Sequence, residues 1–270
     1  RPNTVKGYEC TWDLHIIPAL GATKVRLVTT AQVVDLVERI GGTQANRTLA
    51  IMRKAFNLSI LWGMRPDNPC AKVPGNSENR RERYLSRQEQ ERLLAALEAF
   101  ATTPLQWRFT QFIKLLMLTG CRAGEICRGR WEWIDEKAGV MTIPTEHHKT
   151  GQKTGKKRVV HLPPAAILIL KELRRSTNSD WIIAGQGGGH LVGYQKLWRQ
   201  LVKLAKINDL KVHDLRHHWA SVALTRAGLT LPQVGGLLGH TSPLTTKRYA
   251  HLIEDGAGAM ANSVADQLGM

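Results

Sequence analysis

A mainly α-helical protein with one small antiparallel β-sheet is the fold class that three features of the sequence predict. Apolar residues recur at helical spacing along most of the chain, strand-like alternation is confined to short runs between residues 131 and 162, and one polar stretch divides the chain in two.

The elements follow in order. Thr4 to His15 reads as a helix, and Thr30 to Ile40 as a second behind a Thr-Thr cap. From Thr43 to Gly63, Leu49, Met52, Phe56 and Ile60 recur on one face before a glycine stop. These residues, 1–67, form a small helical module. "NPCAKVPGNSENRRER", Asn68 to Arg83, has no apolar periodicity, so residues 68–84 read as a basic linker with Arg80 and Arg81 in it. A second unit, 85–270, opens on a capping box: Ser86 precedes Glu89 by three residues, ahead of Leu93, Leu94 and Leu97. Helices follow at about 104–119 and 123–130. The period then changes, because "VMTIP" from Val140 and "RVVHL" from Arg158 alternate, and "TEHHKTGQKTGKK" joins them as a hairpin. Trp131 to Ile134 supplies a third strand. Helices resume near 164–175, 192–206, 213–227, 231–239 and 243–252. Beyond Asp255, Met260, Val264 and Leu268 form a stripe suited equally to docking on a neighbouring copy or on their own domain.

The chain of 270 residues carries 38 Lys and Arg against 22 Asp and Glu, a formal charge of +16. Such an imbalance repels itself unless a polyanion is the partner, which points to nucleic acid first and an anionic membrane surface second. No run approaches the roughly 20 apolar residues of a membrane span, and the N-terminus lacks a signal-peptide core. The expectation is a soluble, cytoplasmic protein. Cys10, Cys70, Cys121 and Cys127 fit neither a disulfide framework nor a zinc knuckle and read as reduced. The chain begins with Arg, so a preceding N-terminal domain is expected.

Four clusters carry chemistry, and each alone has an ordinary reading. "LTGCRAGEICRGRW" places Arg122 at a helix start between Gly120 and Gly124, where small neighbours admit a polyanion; the ordinary reading is a surface arginine. The hairpin segment holds Lys149, Lys153, Lys156, Lys157 and Arg158 without an acid, either a solvated loop or a basic finger along DNA. "KVHDLRHHWASVAL" puts His213 and Arg216 on one helix face. Its His213-Asp214-x-x-His217 spacing resembles a zinc motif, but a guanidinium beside both imidazoles repels a divalent cation, so no metal and no cofactor is expected. Finally, "LLGHTSPLTTKRYAHL" contains His240 and Tyr249; a tyrosine on a short helix is ordinarily a half-buried anchor. Taken together, two guanidiniums, an ammonium, two imidazoles and a phenol are an inventory for metal-free phosphoryl transfer. A phenol is about a thousandth ionised at neutral pH, so its attack on a phosphodiester needs positive charge and a base.

By these boxes, "LTGCRAGEI", "HDLRHHWAS" and "LLGHTSPLTTKRYAH", in this order, the chain resembles the tyrosine recombinases of the phage and genomic-island integrase family over about residues 85–252. The resemblance implies a helical core-binding domain and an α+β catalytic domain of the DNA breaking-rejoining type, closing as a C-shaped clamp on duplex DNA. It implies that Tyr249 is the nucleophile and forms a 3′-phosphotyrosine. Arg122 and Arg216 then clamp the phosphate, His240 donates to it, His213 handles the tyrosine's proton, and Glu125 buttresses the pocket beside His213 or an arginine. Lys149 protonates the leaving oxygen, with Thr150-Gly151 as the turn; Lys153, in a repeat of the same Lys-Thr-Gly, is the alternative. Lys153, Lys156, Lys157, Arg158, Arg80 and Arg81 are expected to touch DNA. A DNA-assembled tetramer, DNA-bending accessory factors and a role in a mobile element are implied as well. Two rivals stand beside this: a monomeric type IB topoisomerase-like activity, and a DNA-binding accessory protein that keeps the fold without reacting.

Overall fold

The computed structural model describes residues 2–78, 81 and 83–254, and the side chains of these except 2, 3, 152, 153, 253 and 254. The chain divides into two compact units, Arg1–Arg81 and Glu82–Met270.

The first unit consists of α1 (Pro2–Thr11), a π-helical turn Trp12–Ile16, α2 (Ile17–Leu20), α3 (Thr30–Ile40) and α4 (Gly42–Leu61). Thr29 caps α3 in a reciprocal box with Gln32, which satisfies two otherwise unpaired amides. Leu49, Met52 and Phe56 of α4 pack with Val33, Leu36 and Val37 of α3, as the helical spacing requires. The segment expected to be linker belongs in large part to this unit. Cys70 and Val73 are buried in its core, Arg53 donates to the carbonyls of Cys70 and Val73, and Asn46 holds Asn76 through both its amide oxygen and nitrogen. Polar composition masks this docking, because only Pro69, Cys70 and Val73 of the segment are both apolar and buried.

The second unit starts with α5 (Arg87–Phe100), capped by the expected Ser86–Glu89 box. Then come α6 (Pro104–Thr119), α7 (Ala123–Cys127), β1 (Ile134–Asp135), β2 (Val140–Ile143), α8 (Gly151–Thr154) and β3 (Arg158–His161). The remainder is helical: α9 (Pro164–Ser176), α10 (Gln195–Leu204), α11 (Asp214–Thr225), α12 (Leu231–Leu238), α13 (Pro243–Lys247) and α14 (Ala250–Glu254). The core is built around α6, whose Phe109, Phe112, Ile113, Leu115 and Leu116 are buried. The antiparallel sheet runs β1-β2-β3, with Met141 opposite Val160 and Ile143 opposite Arg158.

Four details depart from the expectation. Trp131–Trp133 is a 3₁₀ turn, which leaves β1 only two residues. The β2–β3 connection contains α8, and Thr150-Gly151 opens that helix instead of making the turn. Space explains the glycine: a Cβ on Gly151 would lie 1.8 Å from the Thr145 carbonyl oxygen. The predicted helix 243–252 breaks at Arg248 and Tyr249, where the tyrosine ring enters a separate apolar cluster with Ala220, Leu224, Val234, Leu238 and Leu252.

Candidate active site

The site forms where the ends of α6, α12 and α13 meet the starts of α7 and α11. α6 stops at Gly120, which adopts the left-handed conformation (φ +62°). Arg122 then caps α7, and Glu125, one turn on, accepts from both the Arg122 amide (3.0 Å) and its guanidinium (2.9 Å). Glu125 is buried, yet Arg122 and the amide hold its carboxyl below the ordinary range against the opposing effect of burial. Of the two partners expected for Glu125, the arginine is the one it binds.

Arg216 lies on the first turn of α11 and is 4% exposed. Its two terminal nitrogens donate to the carbonyls of Gly120 and Leu238, each at 2.8 Å. Burial, then the neighbouring Arg122, pulls its pKa down to about 10, so it stays charged at neutral pH. α12 ends at Gly239, left-handed at φ +67°, with His240 N–H on the Gly235 carbonyl and Gly239 N–H on the Gly236 carbonyl. This Schellman closure turns the chain so that His240 returns toward Arg216. The His240 Nδ1 lies 2.8 Å from the Thr246 hydroxyl of α13, and burial together with Arg216, Arg122, Arg158 and Arg248 lowers its pKa to about 4.

Tyr249 is 6% exposed and its hydroxyl lies 2.7 Å from Nδ1 of His217. An anchor tyrosine would end its hydroxyl in water, whereas this one ends on an imidazole one residue from Arg216. Burial raises the phenol's pKa, while Arg248 and Arg216 oppose the rise. His213, at the N-terminus of α11, is exposed; its ring meets that of His217 edge-on at 5.0 Å. Desolvation, then Arg216 and Arg122, lowers its pKa.

Arg122, Glu125, His213, Arg216, His240 and Tyr249 are therefore brought together. A cavity of about 350 Å³ lies between the β2–β3 connection and the end of α12, lined by His148, Thr150, Lys156 and Lys157 on one side and Gly239 and His240 on the other. Lys149 lies between two of these residues in the chain but does not line the cavity. It is exposed, whereas its neighbour His148 is buried and bonds the Lys156 carbonyl at 2.9 Å, tying the two ends of the connection together. Lys156 and Lys157 are exposed, and Arg81 is half-buried. The Lys153 side chain and Arg80 lie outside the described residues, as does the stripe Met260, Val264 and Leu268.

Arg158 is placed otherwise than expected of a surface contact to DNA. It is 6% exposed, donates to the Leu237 carbonyl at 2.8 Å, and packs so closely on Gly239 that a Cβ there would lie 2.5 Å from its guanidinium. The alternation of "RVVHL" carried the signal, since a residue two before Val160 shares its inward face. His217 was read only as a metal candidate. Its contact with a residue 32 positions away has no local signature, although His213 and His217 one turn apart on one helix mark the face. Among the described residues no group of three or more His, Cys, Asp or Glu side chains is arranged to hold a metal ion. Burial pushes the Cys121 and Cys127 thiols up to about 11 and about 12, which keeps them unreactive beside the site. No helix among the described residues is long and apolar enough to cross a membrane.

Known proteins resemble this chain in sequence and in fold. The chain is 27% identical over 264 residues to the shufflon-specific DNA recombinase of Escherichia coli, covering 93% of this chain but 62% of that protein. A lambda integrase dimer bound to a COC′ core site superposes with a TM-score of 0.74 at 19% identity, over 92% of this chain and 88% of that one. A lambda integrase tetramer bound to a Holliday junction superposes with a TM-score of 0.70 at 20% identity, over 90% of this chain and 73% of that one. At such identities these structures establish the fold. The family model described as the phage integrase family matches residues 83–255, most of the unit that holds the site, and the chain belongs to that family.

Proposed function

We propose that this protein is a site-specific DNA recombinase that cuts and rejoins duplex DNA through a 3′-phosphotyrosine. The observation that carries the reading is the Tyr249 hydroxyl, turned inward onto an imidazole and flanked by Arg216 and Arg248. Tyr249 Oη attacks the phosphorus, the bond from phosphorus to the 5′ oxygen breaks, and a 5′-hydroxyl departs. Attack by the 5′-hydroxyl of a second duplex reverses the step, so bond energy is conserved and no cofactor is required. Arg122 and Arg216 face the non-bridging oxygens, whose charge grows in the transition state, and planar guanidiniums suit that geometry. His240 donates to the same phosphate. Lys149, on the basic β2–β3 connection, protonates the departing oxygen. Lys156 and Lys157 contact the DNA backbone, as do Lys153 and the Arg80–Arg81 pair.

The DNA-bound lambda integrases support duplex DNA as the substrate and a tetramer as the working assembly. Membership in the phage integrase family supports a role in moving a mobile element. The test is a nicked attachment-site duplex, which traps the covalent complex as a shifted band on a denaturing gel. Tyr249→Phe is expected to abolish the band with duplex binding unchanged. A band that persists and maps to Tyr8, Tyr84 or Tyr194 overturns the assignment.

A further inference from the structure

We infer that His217, and not His213, is the catalytic residue that takes the proton from the Tyr249 hydroxyl as the phosphate is attacked. The inference rests on Tyr249 as nucleophile and adds the base. Two imidazoles lie one turn apart on α11, and the structure separates their surroundings. His217 is buried, and its Nδ1 is 2.7 Å from the phenol oxygen, within the reach a general base needs. His213 is exposed and meets the ring of His217, at 5.0 Å between centroids, rather than the tyrosine. Of the charges that bear on His213 from other elements, Arg122 and Arg248, only Arg122 does not also act on His217.

The state of His217 leaves it able to accept a proton. The groups acting on it are His213, Asp214 and Arg216 of its own helix, and Arg248 from the chain beside Tyr249; all but Asp214 disfavour a charged imidazole. With burial they lower its pKa to about 4, so at neutral pH the ring is uncharged and one nitrogen is free to accept. For the transfer the phenol donates, so the reacting tautomer has Nδ1 as acceptor and the ring proton on Nε2. In the step, the Tyr249 O–H bond breaks, its proton passes to Nδ1, and the oxygen's electron pair forms the bond to phosphorus. The electrons of the broken phosphorus–oxygen bond leave on the 5′ oxygen, which is protonated from Lys149. A base this weak cannot ionise a free phenol, so proton transfer runs with attack, when the oxygen's acidity rises. In the reverse step the imidazolium returns the proton to the departing tyrosine.

The experiment follows covalent-complex formation under single turnover for His217→Ala, His217→Gln and His213→Ala, with duplex affinity and thermal unfolding measured on each. His217→Ala is expected to slow the step by about 10²–10⁴-fold, the range for a positioned proton acceptor. Added imidazole then restores much of the rate, and more basic ring-substituted imidazoles restore more. His217→Gln retains a hydrogen-bonding side chain of similar reach but takes no proton, so it stays slow. Its defect also persists on a duplex with sulfur as the 5′ bridging atom, because the leaving group is not what was impaired. Wild-type rates in His217→Gln overturn the inference and leave His217 a positioning residue. Imidazole rescue of His213→Ala alone overturns it in favour of His213. If Tyr249→Phe still forms the covalent band, the nucleophile itself is misassigned, an outcome distinct from both.

Discussion

Gly120→Ala tests the packing beneath the site, and its cost follows from two terms. An L-residue held at φ +62° is strained by about 1–2 kcal/mol. A Cβ there would lie 2.8 Å from the Trp219 ring and 2.9 Å from a methyl of Leu238, and neither yields freely, because the indole N–H is bonded to the Leu118 carbonyl and Leu238 is fully buried. Overpacking of this kind costs about 1–3 kcal/mol, so the total loss is about 2–5 kcal/mol. With a urea dependence of about 2 kcal/mol per molar, the midpoint of the second unit falls by roughly 1–2.5 M. Cleavage falls too, since the Gly120 carbonyl is one of the two that orient Arg216. Gly236→Ala is the control: it lies within α12, a Cβ there meets nothing within 4 Å, and the change gains about 0.5–1 kcal/mol. Urea titration followed by circular dichroism reads both. Equal midpoints for the two variants would refute the packing argument.

Stability should also fall with acid. His217 and His218 are buried with pKa values near 4, below the ordinary 6.5, so between those values the unfolded chain binds more protons than the folded one and stability rises with pH. Glu125, held below its ordinary range, acts in the same sense at the acid end of that window. A urea midpoint unchanged from pH 7 to pH 5 contradicts this. Lys149→Ala should slow cleavage about 10²–10⁴-fold and recover on a substrate with 5′ bridging sulfur, whereas Lys153→Ala should show a mild affinity loss and no such recovery. The reverse pattern makes Lys153 the acid. Duplex binding should weaken with salt along a log-log slope of about −0.9 per phosphate neutralised; a flat dependence removes the basic contacts from the account. Cleavage should survive EDTA, because the proposed mechanism draws the charge facing the phosphate from Arg122, Arg216 and Lys149; loss that zinc or magnesium restores transfers that role to a metal.

Much of this was legible from the sequence. Period and caps located α3, α5, α6 and α9 closely, and the three boxes named most of the residues that meet in the site. Legibility failed where a long-range contact overrides a local pattern. The run from Pro243 to Leu252 looks like one helix, but burial of the Tyr249 ring breaks it. Arg158 ends a run of basic residues, and that charge masks the alternation that turns its side chain inward. His217 was visible as a spacing but not as a partner, since its hydrogen bond closes across 32 residues. Thr150-Gly151 reads as a turn, whereas what Gly151 provides is room beside a carbonyl.

A helix leaves its last four carbonyls without partners, and at α12 every one is satisfied: Gly235 by the His240 amide, Gly236 by the Gly239 amide, Leu237 by Arg158 and Leu238 by Arg216. Arg216 is thus a structural cap of a neighbouring helix as well as the group proposed to face the phosphate. Its orientation is set before any DNA arrives, so little ordering remains to be done when the phosphate binds. The same sharing constrains mutational drift. A lysine at this position keeps the charge but lacks the planar fork that reaches Gly120 and Leu238 together, so its loss of activity would measure a frayed helix end along with missing chemistry. A descendant that abandoned cleavage yet kept folding would shed Tyr249 long before it could shed Arg216.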